Sequence, residues 1–416
     1  MTAQSDTDKE LAPIHDFGNK LLQPSLIDSL KEYVRWQVQI RASEDPEPLF
    51  ADGPDRGPVS INLDLTTACN YACDHCVDMD ILNMGIKYEY DRLVSSLERL
   101  CDKGLRSCIL IGGGEPTVFP KFPEIVALLK GRGVKVAVVS NGSGMRRIEP
   151  VAHLFDADDW VRLSLDSGTD PTFQAMHKPK KPISLEQICA DVKDVKSKFP
   201  GLRIGFSFIV TWKGAFTNDT KIVENIHEIE AATQLAKDHL FDYISVKPFL
   251  VRSPDNNAEI VGVDDSWTDF EAITARIRAA VEQAKRHETA TFKVVESTNL
   301  RVLENQSYAN YTKQPRQCHF TYFRQVLSPL GLYNCPVYRH VEQAKLGGKH
   351  SYATEESAAE TRANVGRLIQ SFDASCECKE VTCLYNSANW MVEDLIQNPE
   401  KLDQLEPAPE RNDFFL

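Results

Sequence analysis

Three cysteines, Cys69, Cys73 and Cys76, stand in the pattern C-x3-C-x2-C within LDLTTACNYACDHCVDM, residues 63–79. They follow an alternating apolar run, Ile61, Leu63 and Leu65, which reads as a strand. A strand therefore hands the chain to a short loop carrying three soft thiolate ligands. Structural zinc takes four protein ligands. A [4Fe–4S] cluster takes one ligand per iron, so three cysteines leave one iron open to an outside ligand. Structural thiols, or part of a zinc site, are the alternatives.

Two further groups carry chemistry. Gly112-Gly113-Gly114-Glu115-Pro116-Thr117 follows the short apolar strand Cys108 to Ile111 and precedes a helix. Three glycines allow positive φ and close approach of a ligand to the backbone, and a carboxylate at a strand end can pair with an ammonium. The second group is Cys318, Cys335, Cys376, Cys378 and Cys383. Between the first two lies FRQVLSPLGLYNCP, two apolar strands around a Ser-Pro-Leu-Gly turn, which reads as a β-hairpin. A Zn(Cys)4 clip bracing the C-terminus is one reading of this group.

The cysteine loop after one strand and GGGEPT after the next resemble the radical SAM superfamily. In that family three cysteines hold a [4Fe–4S] cluster whose open iron chelates the amino and carboxylate groups of S-adenosylmethionine (SAM). The resemblance makes Cys69, Cys73 and Cys76 the cluster ligands and Gly113, Gly114 and Glu115 the motif that holds the SAM amino group. His75 stands where the family often has another aromatic ring. Strand-end residues supply ribose and carboxylate contacts in the family, which here implies Ser140, Asn141, Ser164 and Asp166. Ser207 and Lys247 are weaker candidates for the same cavity, and Arg252 is a candidate partner for a substrate anion. The hairpin and late cysteines resemble the SPASM or "twitch" extension, which binds an auxiliary [4Fe–4S] cluster. A full SPASM domain has seven cysteines and two clusters, whereas five are present here. One cluster is therefore expected, on Cys318, Cys335, Cys378 and Cys383, with Cys376 as the alternative to Cys378. Tyr322 and Arg324 lie on the hairpin near the expected cavity, with core or surface roles equally open.

The elements that must position these residues follow from periodicity. Pro24 to Arg41 repeats apolar residues at helical spacing, and Ser43 to Pro58 reads as a linker. From Val59 to Leu250 strand and helix patterns alternate through six units, ending on the strand Tyr243 to Val246. This order implies a parallel sheet with right-handed crossovers. It matches the family's α/β partial (β/α)6 TIM-like barrel, in which chemistry sits at the C-terminal strand ends. Arg252 to Asp265 reads as a loop, and Thr291 to Glu296 as another strand. The resulting division is 1–58, an N-terminal helix and linker; 59–298, the partial barrel; and 299–416, the C-terminal hairpin-plus-helix extension and tail.

Composition bounds the rest. The chain has 416 residues, with 60 acids against 47 Lys and Arg and a net charge of −13. No basic run interleaves with aromatics, so nucleic-acid partners are disfavoured, although a local basic pocket for a phosphorylated small molecule is compatible. The N-terminal MTAQSDTDKELAP lacks the basic start and apolar core of a secretion signal. No run is long enough to span a membrane. Clustered cysteines without a signal favour metal ligation in the cytoplasm over disulfides. Cys101, Cys108 and Cys189 fall on apolar faces and read as core, and His153, His177 and His227 show no ligand spacing. The expected activity is reductive cleavage of SAM to a 5′-deoxyadenosyl radical that abstracts hydrogen from a sugar, aminocyclitol or nucleotide. An electron donor such as flavodoxin or ferredoxin is implied. The N-terminal region reads as too short for a leader-peptide domain, which tilts the expectation away from the rival, a maturase of a ribosomally made peptide. A non-catalytic iron–sulfur or zinc protein is the rival of another class.

Overall fold

A computed structural model describes residues 16–213, 216–217, 220–261 and 270–416. The N-terminal MTAQSDTDKELAP and the end of the expected 252–265 loop lie outside the described residues. The first long helix, α1 (Ile27–Ala42), buries Leu30, Tyr33, Val34 and Trp36. The expected linker behind it is not wholly irregular. Residues Glu47–Ala51 form a short helix whose Phe50 is buried against Gly366, where a Cβ would crowd the ring. The Trp36 indole, donating to the Leu49 carbonyl at 2.8 Å, and Arg367, donating to Glu47 at 2.7 Å, hold the same helix.

The strands β1 (Ser60–Leu63), β2 (Ser107–Leu110), β3 (Lys135–Ser140), β4 (Trp160–Ser164), β5 (Ile204–Val210), β6 (Tyr243–Pro248) and β7 (Lys293–Glu296) pair in sequence order, all parallel. The helices between them cover the sheet: α2 (Tyr90–Asp102), α3 (Phe122–Gly131), α4 (Asp170–His177), α5 (Leu185–Lys198), α6 (Ile229–Asp238) and α7 (Phe270–Lys285). Helix α2 shows why they form. Leu93, Leu97 and Leu100 fall on one face and are fully buried, each contributing about 1.5–3 kcal/mol. Gly104, at φ +104, then turns the chain so that the Leu105 amide bonds back to Leu100.

The hairpin adds to this sheet. Strand β8 (Arg324–Ser328) pairs parallel to β1, and β9 (Gly331–Tyr333) and β10 (Lys345–Gly347) follow it antiparallel. The main sheet thus has ten strands, with β1 in its interior between β2 and β8. Helices α8 (Glu355–Ser371) and α9 (Asn386–Gln397) complete the chain. Its last residues return to the N-terminal strand ends. Ser107, first in β2, donates to the Phe414 carbonyl at 2.6 Å, and the Phe415 ring lies 5.6 Å from Trp160, first in β4. Among the described residues no helix is long and apolar enough to cross a membrane.

Candidate cluster and cofactor site

The loop after β1 is clamped on two sides. On one side lies the end of α4: the Ala72 amide donates to the His177 carbonyl and the Asp74 amide to Met176. Lys180 completes this side, its ammonium reaching the Cys69 carbonyl at 2.9 Å. On the other side lies the glycine turn. Gly112 and Gly113 have positive φ, and the Glu115 amide donates to the Ala68 carbonyl at 2.9 Å. A Cβ on Gly114 would overlap the Ala68 carbonyl oxygen, and one on Gly113 would stand 2.8 Å from the Thr66 oxygen. The glycines are therefore required by contact with the loop as well as by conformation.

The three thiols are close enough to interact: Cys73 feels both Cys76 and Cys69. Burial raises all three pKa values, Cys76 to about 12. Amide N–H groups pull the other way, from Tyr71 and Asn70 toward the Cys69 sulfur and from Asp78 toward Cys76. Three buried, mutually close sulfurs met by backbone donors fit an iron–sulfur group, which takes thiolates and is tuned by hydrogen bonds to them.

The motif carboxylate is enclosed. Glu115 Oε1 accepts from the Thr117 amide (3.1 Å), Thr117 Oγ1 (2.6 Å) and Ser140 Oγ (2.7 Å), and Oε2 accepts from the Asn141 amide (2.7 Å). Asn141 Nδ2 in turn donates to Asn70 in the cysteine loop at 2.8 Å. Glu115, Ser140 and Asn141 thus form one network tying β2 and β3 to the loop. Asp166 is fully buried and held at φ +51. Its carboxylate takes the Ile209 amide at 2.7 Å, His75 Nε2 at 3.1 Å and His177 Nε2 at 3.4 Å. Ser164 is half-buried, and its hydroxyl has no hydrogen-bond partner among the described residues.

His177 is a residue that spacing did not reveal. Its Nδ1 lies 3.3 Å from Cys73 Sγ, while Nε2 lies 3.0 Å from the Leu165 carbonyl. Burial pushes the imidazole down to about 4. His75, Asp166 and His177 offer ligand atoms within 4.8 Å of one another. As they stand, they form a buried hydrogen-bonded unit behind Cys73. No short-range pattern announces it, because His75 and His177 are brought together by the fold. His153 and His227 are exposed, in keeping with their unremarkable spacing.

Cys318, Cys335, Cys378 and Cys383 also converge. Cys378 feels the other three, and Cys383 feels Cys318 and Cys335. Amides of Phe320 and Thr321 face the Cys318 sulfur, and those of Val337 and Tyr338 face Cys335. Cys376 is exposed and lies beside Ser375, whereas Cys378 is buried. Four sulfurs with amide donors fit a metal or cluster, and geometry favours Cys378 over its neighbour.

Arg252, a candidate for a substrate anion, is already engaged. Its guanidinium meets Glu259 at 3.4 Å and Asp78 at 3.7 Å, and donates to the carbonyls of Asn257 and Val337. Tyr322 packs in the core, its ring 4.6 Å from that of Tyr33, and Arg324 donates to Asn62 at 2.7 Å. Tyr322 thus packs the extension against α1, and Arg324 joins it to β1. Cys108 and Cys189 are buried as expected, and Cys101 is half-buried.

A parallel sheet, a three-cysteine loop after its first strand and a glycine turn after its second define a SAM-radical barrel. Residues 63–225 match the Radical SAM superfamily. It is 35% identical over 113 residues to an S-adenosylmethionine-dependent nucleotide dehydratase of Thermoplasmatales archaeon (strain ISO4-H5), covering 26% of this chain and 38% of that one. It is also 35% identical over 134 residues to the mycofactocin maturase MftC of Mycobacterium tuberculosis, covering 30% of this chain and 32% of that one. The chain therefore spans well under two thirds of these relatives. Among solved structures it resembles Streptococcus suis SuiB bound to precursor peptide SuiA (TM-score 0.53, 13% identity, 78% of this chain and 71% of that one). It also resembles anSMEcpe with bound AdoMet (TM-score 0.51, 15% identity, 83% and 98%). These likenesses establish the fold: a partial barrel followed by antiparallel strands.

Proposed function

We propose that the protein uses SAM to generate a 5′-deoxyadenosyl radical that abstracts hydrogen from a nucleotide or related phosphorylated small molecule. The observation that carries the SAM chemistry is the clamped cysteine loop: three mutually close sulfurs held between the glycine turn and the end of α4. When bound there, a [4Fe–4S] cluster supplies the electron that cleaves SAM. Cys69, Cys73 and Cys76 would hold it. The glycine turn would lie against the methionine end of SAM, and Ser164 offers a hydroxyl that the fold leaves unbonded. Glu115, Ser140 and Asn141 brace this surface from behind. Cys318, Cys335, Cys378 and Cys383 support a second, auxiliary [4Fe–4S] cluster, and a reductant such as flavodoxin or ferredoxin would serve the first. The nucleotide class draws on the nucleotide dehydratase relatives, matched over 113 and 156 residues.

A second reading is maturation of a ribosomally made peptide. It is favoured by the 35% identity to MftC together with the four converging C-terminal cysteines. One anaerobic assay separates the two readings. The reconstituted protein, with dithionite and SAM, is offered nucleotides, sugar phosphates and candidate precursor peptides, and 5′-deoxyadenosine is quantified. Release accelerated by a nucleotide supports the first reading; acceleration only by a peptide replaces it with the second. A protein that holds its cluster yet neither releases nucleoside nor binds SAM refutes the SAM chemistry itself.

A further inference from the structure

Three adjacent strands carry an unpartnered polar set on one face. Ser164 of β4 is in register with Ser207 of β5, and Ser207 with Ser245 of β6. Arg162 lies two residues before Ser164, and Lys247 two residues after Ser245, so all five side chains share a face. The opposite face carries Val161, Leu163, Phe206, Phe208, Ile244 and Val246, fully buried. Leu163 there and Ile188 of α5 both border Gly142, which identifies that face as the helix side and the polar set as lining the barrel interior.

Among the described residues, none of the five forms a side-chain hydrogen bond or an ion pair. Arg162 stacks on Trp160, its guanidinium carbon 5.1 Å from the ring centre, while its Nε is closed off from solvent with no acceptor. Lys247 and Ser164 remain partly exposed, so the set borders open space. The two cations are near enough to repel: burial and the Arg162 charge together push the Lys247 ammonium well down. The acid that both feel is Asp166, and its carboxylate is already shared among His75, His177 and the Ile209 amide.

Desolvated cations without counterions are costly and persist where a ligand neutralises them. Two cations and the hydroxyls of Ser207 and Ser245 specify an anion with many acceptor oxygens. Size narrows it further. Three neighbouring strands span about 10 Å, longer than one carboxylate or one phosphate and suited to a chain of phosphates. We propose that Arg162, Ser207, Ser245 and Lys247, beside the Ser164 hydroxyl left to SAM, form the seat of a substrate oligophosphate inside the barrel. This deepens the nucleotide reading and rests on it. The other source of an anion here is the carboxylate of SAM, and the test separates the two.

The reconstituted protein is titrated with inorganic tripolyphosphate, with and without saturating SAM, following heat of binding and melting temperature. Wild type is expected to bind tripolyphosphate and to melt higher in its presence, whether or not SAM is bound. Lys247→Met and Arg162→Met are each expected to weaken binding by roughly tenfold or more. Both remove a cationic side chain that the fold leaves unpaired, so their unliganded melting temperatures should stay level or rise. Absence of binding, binding unaltered in both variants, or displacement of tripolyphosphate by SAM would each overturn the proposal. The nucleotide reading is checked separately with CTP, UTP, GTP and ATP. If none binds tighter than tripolyphosphate, the anion seat stands and the nucleotide reading falls.

Discussion

Asp78 and Arg339, 261 residues apart in the chain, meet in a buried ion pair at 3.0 Å. Asp78 stands two residues after Cys76, and Arg339 four residues after Cys335. The pair therefore ties the cysteine loop of the barrel to the cysteine segment of the extension. Asp64, at the end of β1, faces the same guanidinium at 3.5 Å, and Gly112 lacks the Cβ that would occupy its place. Removing Arg339 would leave Asp64 buried without a cation and Asp78 with only the more distant Arg252, at 3.7 Å. Arg339→Leu is expected to cost about 3–5 kcal/mol, measured as the loss in unfolding free energy in urea. A loss below about 1 kcal/mol would mean that water already screens the site.

The same cluster makes a pH prediction. Burial raises Asp64 to about 8 and Glu259 to about 7. An acid whose folded pKa is raised binds more protons when folded, so its contribution to stability is full below its unfolded pKa, near 4, and is lost as pH rises toward the folded value. Between about pH 4 and 8 the Asp64 contribution should fall by up to about 1.4 kcal/mol per unit. Asp64→Asn removes this titration, so the stability difference between wild type and variant should change steadily in the variant's favour across that range. A difference that is flat with pH would show that Asp64 is ionised throughout.

Glycine substitutions test the clamp on the loop. Gly114→Ala would drive a Cβ into the Ala68 carbonyl, a backbone atom that cannot step aside without moving the loop. It is expected to cost about 1–3 kcal/mol or more and to lower iron retained after reconstitution. Gly131→Ala, at the end of α3 with open space around it, should be neutral or stabilising by up to about 1 kcal/mol. Comparable melting temperatures for the two variants would show that the glycine turn does not need its close approach.

Much of this was legible beforehand, for reasons that particular residues make clear. Cys69, Cys73, Cys76 and GGGEPT are local patterns, and the alternation of strand and helix is a short-range signal. The pairing of β8 with β1 was not legible, because Arg324 to Ser328 reads as a hairpin strand whichever neighbour it takes. Nor was the contact of Arg339 with Asp78, or of His177 with Cys73, since neither partner carries a mark of the other. Phe414 and Phe415 sit in a polar tail, and only the fold shows that they reach β2 and β4.

The C-terminal cysteines give a prediction about metal content. Cys378 is buried and feels Cys318, Cys335 and Cys383, whereas Cys376 is exposed. Cys378→Ser is expected to lower iron and sulfide by one cluster's share, and Cys376→Ser to leave them at the wild-type level. Zinc in place of iron at this site, read by elemental analysis of protein purified anaerobically, would replace the auxiliary cluster with a structural clip.

Glu115 tests how the glycine motif works. Four donors converge on its carboxylate, from Thr117, Ser140 and Asn141, in a site closed to solvent. In Glu115→Gln one oxygen becomes an NH2 group that must face one or more of those donors, so the loss is a charged hydrogen-bond network rather than a single contact. Hydrogen bonds to a charged group contribute about 1.5–3 kcal/mol each. The variant should therefore melt lower and lose stability by at least about 2 kcal/mol, because the ends of β2 and β3 and Asn70 in the cysteine loop are joined through this carboxylate. SAM affinity would then fall as a consequence of the loosened turn, and Ser140→Ala should reproduce part of both effects. A different outcome would assign a different role. If Glu115→Gln kept wild-type stability while SAM binding, followed by equilibrium dialysis, was lost, then the carboxylate would act on the SAM amino group directly.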